Sequence, residues 1–396
     1  MKYSTSLFGQ ILQKIGTEVF FRCVRRTGAH RNVKGFSSWD QFVAMLFCQL
    51  AQCKSLREIT DGMRVTCGKL NHLGLRESPA RSTLSYANAH RPWELFQDVF
   101  FELLETCRAQ TPGKKPAFRF KNKLLSLDAT VIDLCLTLFP WASFRQTKGA
   151  VKLHLLLDHD GYLPAFAAIT DGKTHEINIA RQIELPRGSI VAIDRGYYDF
   201  ELFRDWTARG VWFVTRLKAG AGYDVVESYE TPERSNILFD QLIRFTGTVT
   251  SRKYPGNLRR VVVWDDAGQR QIELLTNHLD FGPTTIARIY RDRWEIELFF
   301  KCLKQNLKVK TFVGTSENAL KTQIWTALIA MLLIKYLQFC SKANLALCRL
   351  VALLRLNLFS YRNLQDWLDD PFQTPAEHPP EQLEFMFGTA SAASGA

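Results

Sequence analysis

The chain has 396 residues, with 51 Lys and Arg against 39 Asp and Glu, a formal net charge of +12 and a sequence pI near 9.3. At roughly 150 residues per domain this length suggests two or three domains able to bury a core, and a composition of 46% hydrophobic and 23% charged residues excludes a disordered or fibrous chain. The basic excess favours a polyanionic partner without choosing among DNA, RNA and an acidic membrane surface.

Other classes are set aside by local sequence. The longest apolar run, Ile324 to Ile334, is eleven residues and ends at Lys335, too short to span a bilayer. The first residues, Met1 to Ser6, lead to Gln10 and Lys14 without the apolar stretch of a signal peptide. Nine cysteines form no C-x-x-C pair and read as buried free thiols of a reducing compartment, with no zinc spacing among His and Cys. The expectation is a soluble cytoplasmic protein.

In chain order, residues 1–110 read as helical. Ser38 begins a capped apolar run to Ala51, Ser55 opens a second helix, and a third starts after Pro79 at Arg81-Ser82-Thr83-Leu84. Residues 1–75 hold eleven Lys and Arg against four Asp and Glu, which suits a helix-turn-helix-like DNA reader and equally a helical scaffold with a solvated basic face. The gap between the second and third starts is long for the simplest such motif. Thr111 to Pro116 reads as a linker.

Beyond it the period changes. Lys123 to Ile132 and Val151 to Leu157 read as strands, and Asp158-His159-Asp160-Gly161 as a turn into a strand from Tyr162 to Ile169. Ser189 to Asp194 is a short strand, Asp199 to Arg209 a helix, and Val211 to Thr215 another strand, together a mixed α/β sheet. Residues 217–270 read as a β-rich insertion, with a hairpin of Arg259 to Trp264 and Gln271 to Thr276. A long helix is expected from about Pro283 to Lys308, and helices from Ser316 to Cys340 and on through residue 370. Residues 371–396 have the composition of a frayed tail.

The candidate chemistry lies in carboxylates. Asp128 and Asp194 each end an apolar strand segment, and acids on two strands of one sheet can converge, which calls for a cation held by oxygen ligands, Mg²⁺ or Mn²⁺. A lone Asp at a strand end also fits a cap or turn former, as Asp158, Asp160, Asp171, Asp265 and Asp266 do beside their turns. On the long helix, Tyr290, Arg293 and Lys304 fall at about +20°, −40° and −20° from Glu297, a stripe about 60° wide and about 20 Å long. A carboxylate flanked by Arg, Lys and a phenol can hold a metal with adjoining phosphates; a solvated charged face with an Arg293–Glu297 pair is the other reading. Leu298, Phe299 and Leu303 are expected to pack the helix down, and Trp294 to be core.

These residues carry a resemblance. Tyr290-x2-Arg293-x3-Glu297-x6-Lys304 resembles the Y-R-E-K signature of the insertion-sequence-four family of DDE transposases. Ser126-Leu127-Asp128-Ala129-Thr130 resembles the family's first-aspartate strand, and Asp194-Arg195-Gly196-Tyr197 its second, with the aspartates 66 positions apart and Glu297 a further 103 positions on. The first 75 or so residues are similar to the helical N-terminal domain of one branch. The resemblance spans most of residues 1–340.

It implies an α/β fold: an RNase H-like mixed sheet (117–216 and 271–310) interrupted by the β-rich insertion and flanked by helical N- and C-terminal regions. It implies Asp128, Asp194 and Glu297 as a metal-binding catalytic triad, with two Mg²⁺ ions about 4 Å apart (Mn²⁺ substituting). Water and then a released 3′-OH would be the nucleophiles, Tyr290, Arg293 and Lys304 the phosphate grip. The implied partners are terminal inverted repeats and target DNA, bound by a homodimer on paired ends. Family members can also flip a base onto an aromatic residue. Where relatives carry that tryptophan, this chain has Gln271-Ile272-Glu273, and Trp264 on the preceding strand fits either a stacking residue or an anchor of the hairpin. The same residues leave two other functions open: a DNA-binding regulator without turnover, and a structure-selective nuclease.

Overall fold

The computed structural model describes residues 5–31, 33, 35–66, 70–110, 120–145, 148–306 and 312–373. The linker at Thr111 to Pro116, the end of the long helix at Lys308 and the tail beyond Gln373 lie outside the described residues.

Six helices come first: α1 (Leu7–Gln13), α2 (Thr17–Thr27), α3 (Ser38–Leu50), α4 (Leu56–Arg64), α5 (Arg81–His90) and α6 (Glu94–Gln110). Serine side chains cap α1, α3 and α4. Ser37, one residue before the expected cap, forms a capping box with Asp40, and Ser55 accepts from the Glu58 N–H. These helices wrap α12 (Glu317–Cys340), whose residues from Ala319 to Leu337 are nearly all buried. Its 24 residues extend beyond the apolar run read from the sequence on both sides, and Thr322 and Gln323, just ahead of that run, are buried with it. By length and composition alone α12 could cross a membrane, but 78% of its apolar window is buried inside the protein. Its neighbours bury one continuous apolar core with it, from Phe8, Phe42 and Phe100 to Trp325 and Trp367. Of the cysteines, Cys23, Cys48, Cys53 and Cys107 are buried as expected, whereas Cys135 and Cys348 are exposed.

The sheet comprises β1 (Leu124–Leu134), β2 (Ser143–Arg145), β3 (Lys148–Asp158), β4 (Leu163–Asp171), β5 (Ile190–Ile193), β6 (Trp212–Arg216), β7 (Tyr223–Ser228), β8 (Ile237–Phe245), β9 (Leu258–Asp265) and β10 (Arg270–Thr276). Nine strands run in the order β2-β3-β1-β5-β6-β10-β9-β8-β7, and β4 pairs with β3. β4, β3 and β1 are antiparallel, and β5 and β6 run parallel to β1, the order β4-β3-β1-β5-β6 expected of an RNase H-like core. The β3–β4 turn is closed by Gly161 at φ 92°, a left-handed conformation that glycine adopts without strain. Helices α7 (Glu176–Ala180) and α8 (Phe200–Ala208) link the strands, with Asp199 capping α8.

The insertion is joined to the core edge to edge, since β10 pairs antiparallel with both β6 and β9; α9 (Thr248–Lys253) connects β8 to β9. Its buried polar group is the Arg259–Asp240 pair, two bonds of 2.7 and 2.6 Å between side chains 7% and 1% exposed. Arg259 also donates to the Leu279 and Phe281 carbonyls. Removing one member leaves the other charge uncompensated, so Asp240→Ala is expected to cost about 3 kcal/mol, read as a lower urea midpoint with an unchanged m-value.

The expected long helix is two helices, α10 (Pro283–Asp292) and α11 (Trp294–Asn306), parted at Arg293. Arg293 keeps near-helical backbone angles, φ −52° and ψ −28°, so side chains on either side keep roughly their helical phase. Two helices close the described chain, α13 (Leu347–Asn357) and α14 (Leu364–Asp369).

Candidate active site

The site forms where β1, β5 and the α10–α11 junction meet. β1 and β5 lie side by side in parallel register, Leu127 opposite Ile193. Asp128 and Asp194 each come one residue later and so are neighbours across the two strands; Asp194 follows the last residue of β5, but Asp128 does not end its strand as the apolar segment suggests, because β1 stays paired with β3 as far as Leu134. Side chains alternate along a strand: Leu125 and Leu127 pack into the core under α8, while Asp128 points to the other face. Asp194 follows β5 directly and begins the short turn Arg195–Tyr197.

Glu297 sits in the first turn of α11, which packs on β1. Arg293 ties it to the sheet, donating to Glu297 Oε1 at 2.6 Å and to Asp128 Oδ2 at 3.3 Å from a side chain only 10% exposed. Asp128 also accepts the Ala129 N–H at 2.8 Å. Burial pushes the Asp128 carboxyl up to about 6, the Ala129 N–H and Arg293 opposing that and the charges of Asp194 and Glu297 adding to it. Three acids therefore share one electrostatic site, with a single guanidinium partly neutralising them.

Tyr290 is buried, its ring 5.5 Å from the Arg293 guanidinium and 5.4 Å from that of Arg216. Lys304 lies farther along α11 and donates to the Val131 carbonyl at 2.8 Å, three residues beyond Asp128 on β1. The structure thus gathers Asp128, Asp194, Tyr290, Arg293 and Glu297, and sets Lys304 along the same helix–strand seam.

Among the described residues, no group of three or more His, Cys, Asp and Glu side chains stands ready to hold a metal ion. The donor set nevertheless fits a hard divalent cation: the acids are oxygen donors, and the charges of Asp194 and Glu297 add to the burial that raises the Asp128 carboxyl. Arg293, between Asp128 and Glu297, occupies the place such a cation would contest.

Residues 119–333, more than half of the chain, match the transposase DDE domain. The chain belongs to that family. Residues 4–76 match a domain of unknown function, DUF4372. Among curated proteins this transposase is 29% identical over 318 residues to the putative transposase y4zB of Sinorhizobium fredii, covering 78% of this chain and 87% of that one. It is 29% identical to the probable transposase for insertion sequence element IS5377 of Geobacillus stearothermophilus (65% and 67% covered), and 24% identical to the transposase InsG for insertion sequence element IS4 of Escherichia coli (47% and 43%). A cryo-EM structure of the piggyBac transposase synaptic complex with hairpin DNA aligns with a TM-score of 0.46 at 9% identity, covering 93% of this chain and 82% of that one.

Two residues of this transposase depart from their sequence expectation. Trp294 is 56% exposed and Leu298 43% exposed. They stand four residues apart on the side of α11 away from the buried Ile296, Phe299, Phe300 and Leu303, so neither is core. Trp264, half-buried on β9 opposite Gln271, belongs to the insertion hairpin. His154 shares register with Ala129 and so faces away from Asp128; burial lowers its pKa to about 4, and its ring is hydrogen-bonded to Thr170. His175 caps α7. Arg216 was not singled out by sequence, because nothing at the end of a short apolar strand marks a basic residue as facing Tyr290.

Proposed function

We propose that this DDE-family chain is an insertion-sequence transposase that binds terminal inverted repeats and catalyses cut-and-paste transposition by phosphoryl transfer, cleaving element ends and then joining them to target DNA. The observation that carries the reading is the meeting of Asp128 on β1, Asp194 just after β5 and Glu297 in the first turn of α11, with Arg293 bonded to two of them.

Asp128, Asp194 and Glu297 would hold the divalent cations, Mg²⁺ with Mn²⁺ substituting, which when bound supply activation of the attacking oxygen and stabilisation of the leaving one. Asp128 must be ionised for this, and above about pH 6 it is. Arg293, released from a carboxylate, would reach a phosphate with a planar fork suited to two oxygens. Tyr290 holds that fork in place from beneath, and Lys304 would take a phosphate next to the cleaved bond. The chain would act as a homodimer on paired ends.

The test uses the full chain and a duplex bearing the inverted repeats that flank its gene. Strand cleavage at the repeat ends should require Mg²⁺ or Mn²⁺, and Glu297→Gln should bind the same duplex without cutting it. Normal cleavage by Glu297→Gln refutes the assignment. Binding by the unaltered chain with no cleavage under any divalent cation would favour a regulator without turnover.

A further inference from the structure

Helix α5 has a face with no partner in the fold. Leu84, Ala87 and Asn88 are buried, while Arg81, Ser82, Thr83, Ser85, Tyr86 and His90 are all exposed. Tyr86 is 67% exposed, and its ring stacks on His90 at 4.1 Å between centroids. Between Ser78 and Trp93 the chain has no Asp or Glu. Beside α5 lies an open groove of about 590 Å³ lined by Lys54, Arg57, Arg81, Ser82 and Ser85. Among the described residues no carboxylate pairs with the Lys54, Arg57 or Arg81 side chains. The acid nearest in sequence, Glu58, is engaged in its own turn: its carboxylate accepts the Lys54 backbone N–H at 2.8 Å, and its backbone N–H donates to the Ser55 hydroxyl at 3.1 Å.

We propose that the exposed face of α5 enters the major groove of duplex DNA and reads base edges there, with Lys54 and Arg57 on the flanking phosphates. The small hydroxyls of Ser82 and Ser85 allow close approach and can donate or accept at any base edge. Tyr86 supplies a ring and a phenol, and the cationic rim complements the phosphate backbone. This rests on the reading of the chain as an end-binding transposase and adds which helix recognises the end.

The placement of α5 bears on catalysis. Asn318, in the first turn of α12, donates to the Asn88 carbonyl at 2.8 Å and to the Arg91 carbonyl at 2.6 Å, fixing the end of α5. Gln41 holds Asn88 from the other side at 2.9 Å. The groove is completed by Phe312 and Val313, which lie in the segment between α11 and α12. The helix that reads sequence and the helix that carries Glu297 are thereby both braced on α12, which sets a fixed spacing between the bases recognised and the phosphate cut.

The experiment captures duplexes from a pool with 20 random base pairs on the full chain without divalent cation, and sequences them. The same selection is run on Ser85→Ala, Tyr86→Ala and the double variant Lys54→Gln/Arg57→Gln. The unaltered chain should enrich a motif. Ser85→Ala and Tyr86→Ala should relax two or three adjacent positions of it and weaken binding to the enriched duplex about tenfold relative to an unselected one. Lys54→Gln/Arg57→Gln should weaken both duplexes alike and flatten the salt dependence. All the substituted side chains are surface groups, and unchanged thermal unfolding shows that each variant is folded. Enrichment of the same motif by all variants overturns the role of α5 and leaves end recognition intact. No motif with the unaltered chain overturns both.

Discussion

Asp128→Asn is expected to reduce DNA cleavage by at least about a thousandfold while making the cation-free protein more stable at neutral pH. The loss follows from deleting a donor to the cation, since Lewis-acid stabilisation worth several kcal/mol corresponds to that factor. The gain follows from the cost of burying a charge. The Asp128 carboxyl is held near 6 in the folded chain against 3.8 when free, chiefly by burial. Between those values the unfolded state has lost its proton and the folded state keeps it, so this group's contribution to stability falls as pH rises through the window and is flat above it. At pH 7 the burden comes to about 3 kcal/mol. Asparagine stays neutral and removes it, and because the shift is already net of the attraction to Arg293 the gain at pH 7 is of the same size, about 3 kcal/mol. Urea unfolding in EDTA should show the variant's advantage growing from pH 4 to pH 7. An advantage independent of pH would mean that Asp128 is not a buried, strained acid.

That conflict between stability and chemistry was only partly legible in the sequence. The aspartates are legible because each closes a run of apolar residues, and the register of β1 against β5 makes them neighbours, although β1 itself runs on past Asp128 to Leu134. Glu297 and Arg293 were found from helical spacing, which survives the break at Arg293 because that residue's backbone remains near-helical. Spacing could not say which side of the helix faces the sheet. Trp294 and Leu298 are apolar by type, yet α11 turns Ile296, Phe299 and Leu303 inward instead. Tertiary contact decides such cases, since a helix with apolar residues all round has more than one face it can bury. Of the N-terminal helices, α3 and α4 are legible from their Ser caps, but not the core they share with α12, because contacts across more than 200 residues leave no local pattern.

Arg293→Met is expected to tighten divalent-cation binding by the DNA-free protein about tenfold and to lower its stability without cation by about 3 kcal/mol. In the cation-free site this guanidinium is the counter-ion, bonded to Glu297 at 2.6 Å and to Asp128 at 3.3 Å and almost wholly buried. Burial works against its charge, and Tyr290, Glu297 and Asp128 around it more than offset that. A cation that takes both carboxylates must displace the fork, so part of its binding energy is spent breaking two charge-assisted bonds. Methionine keeps the apolar length of the side chain and removes the competitor, but leaves the two acids facing each other beside Asp194. Calorimetric titration with Mn²⁺ measures the first effect and thermal unfolding with and without EDTA the second. The two together are diagnostic: the variant should be weaker than the unaltered chain in EDTA and regain more stability when Mn²⁺ is added. Weaker Mn²⁺ binding by Arg293→Met would reverse the argument, making Arg293 the group that holds Asp128 and Glu297 in position for the cation. If the competition holds, DNA has a direct means of assisting cation entry, because a phosphate that draws Arg293 away frees both carboxylates at once.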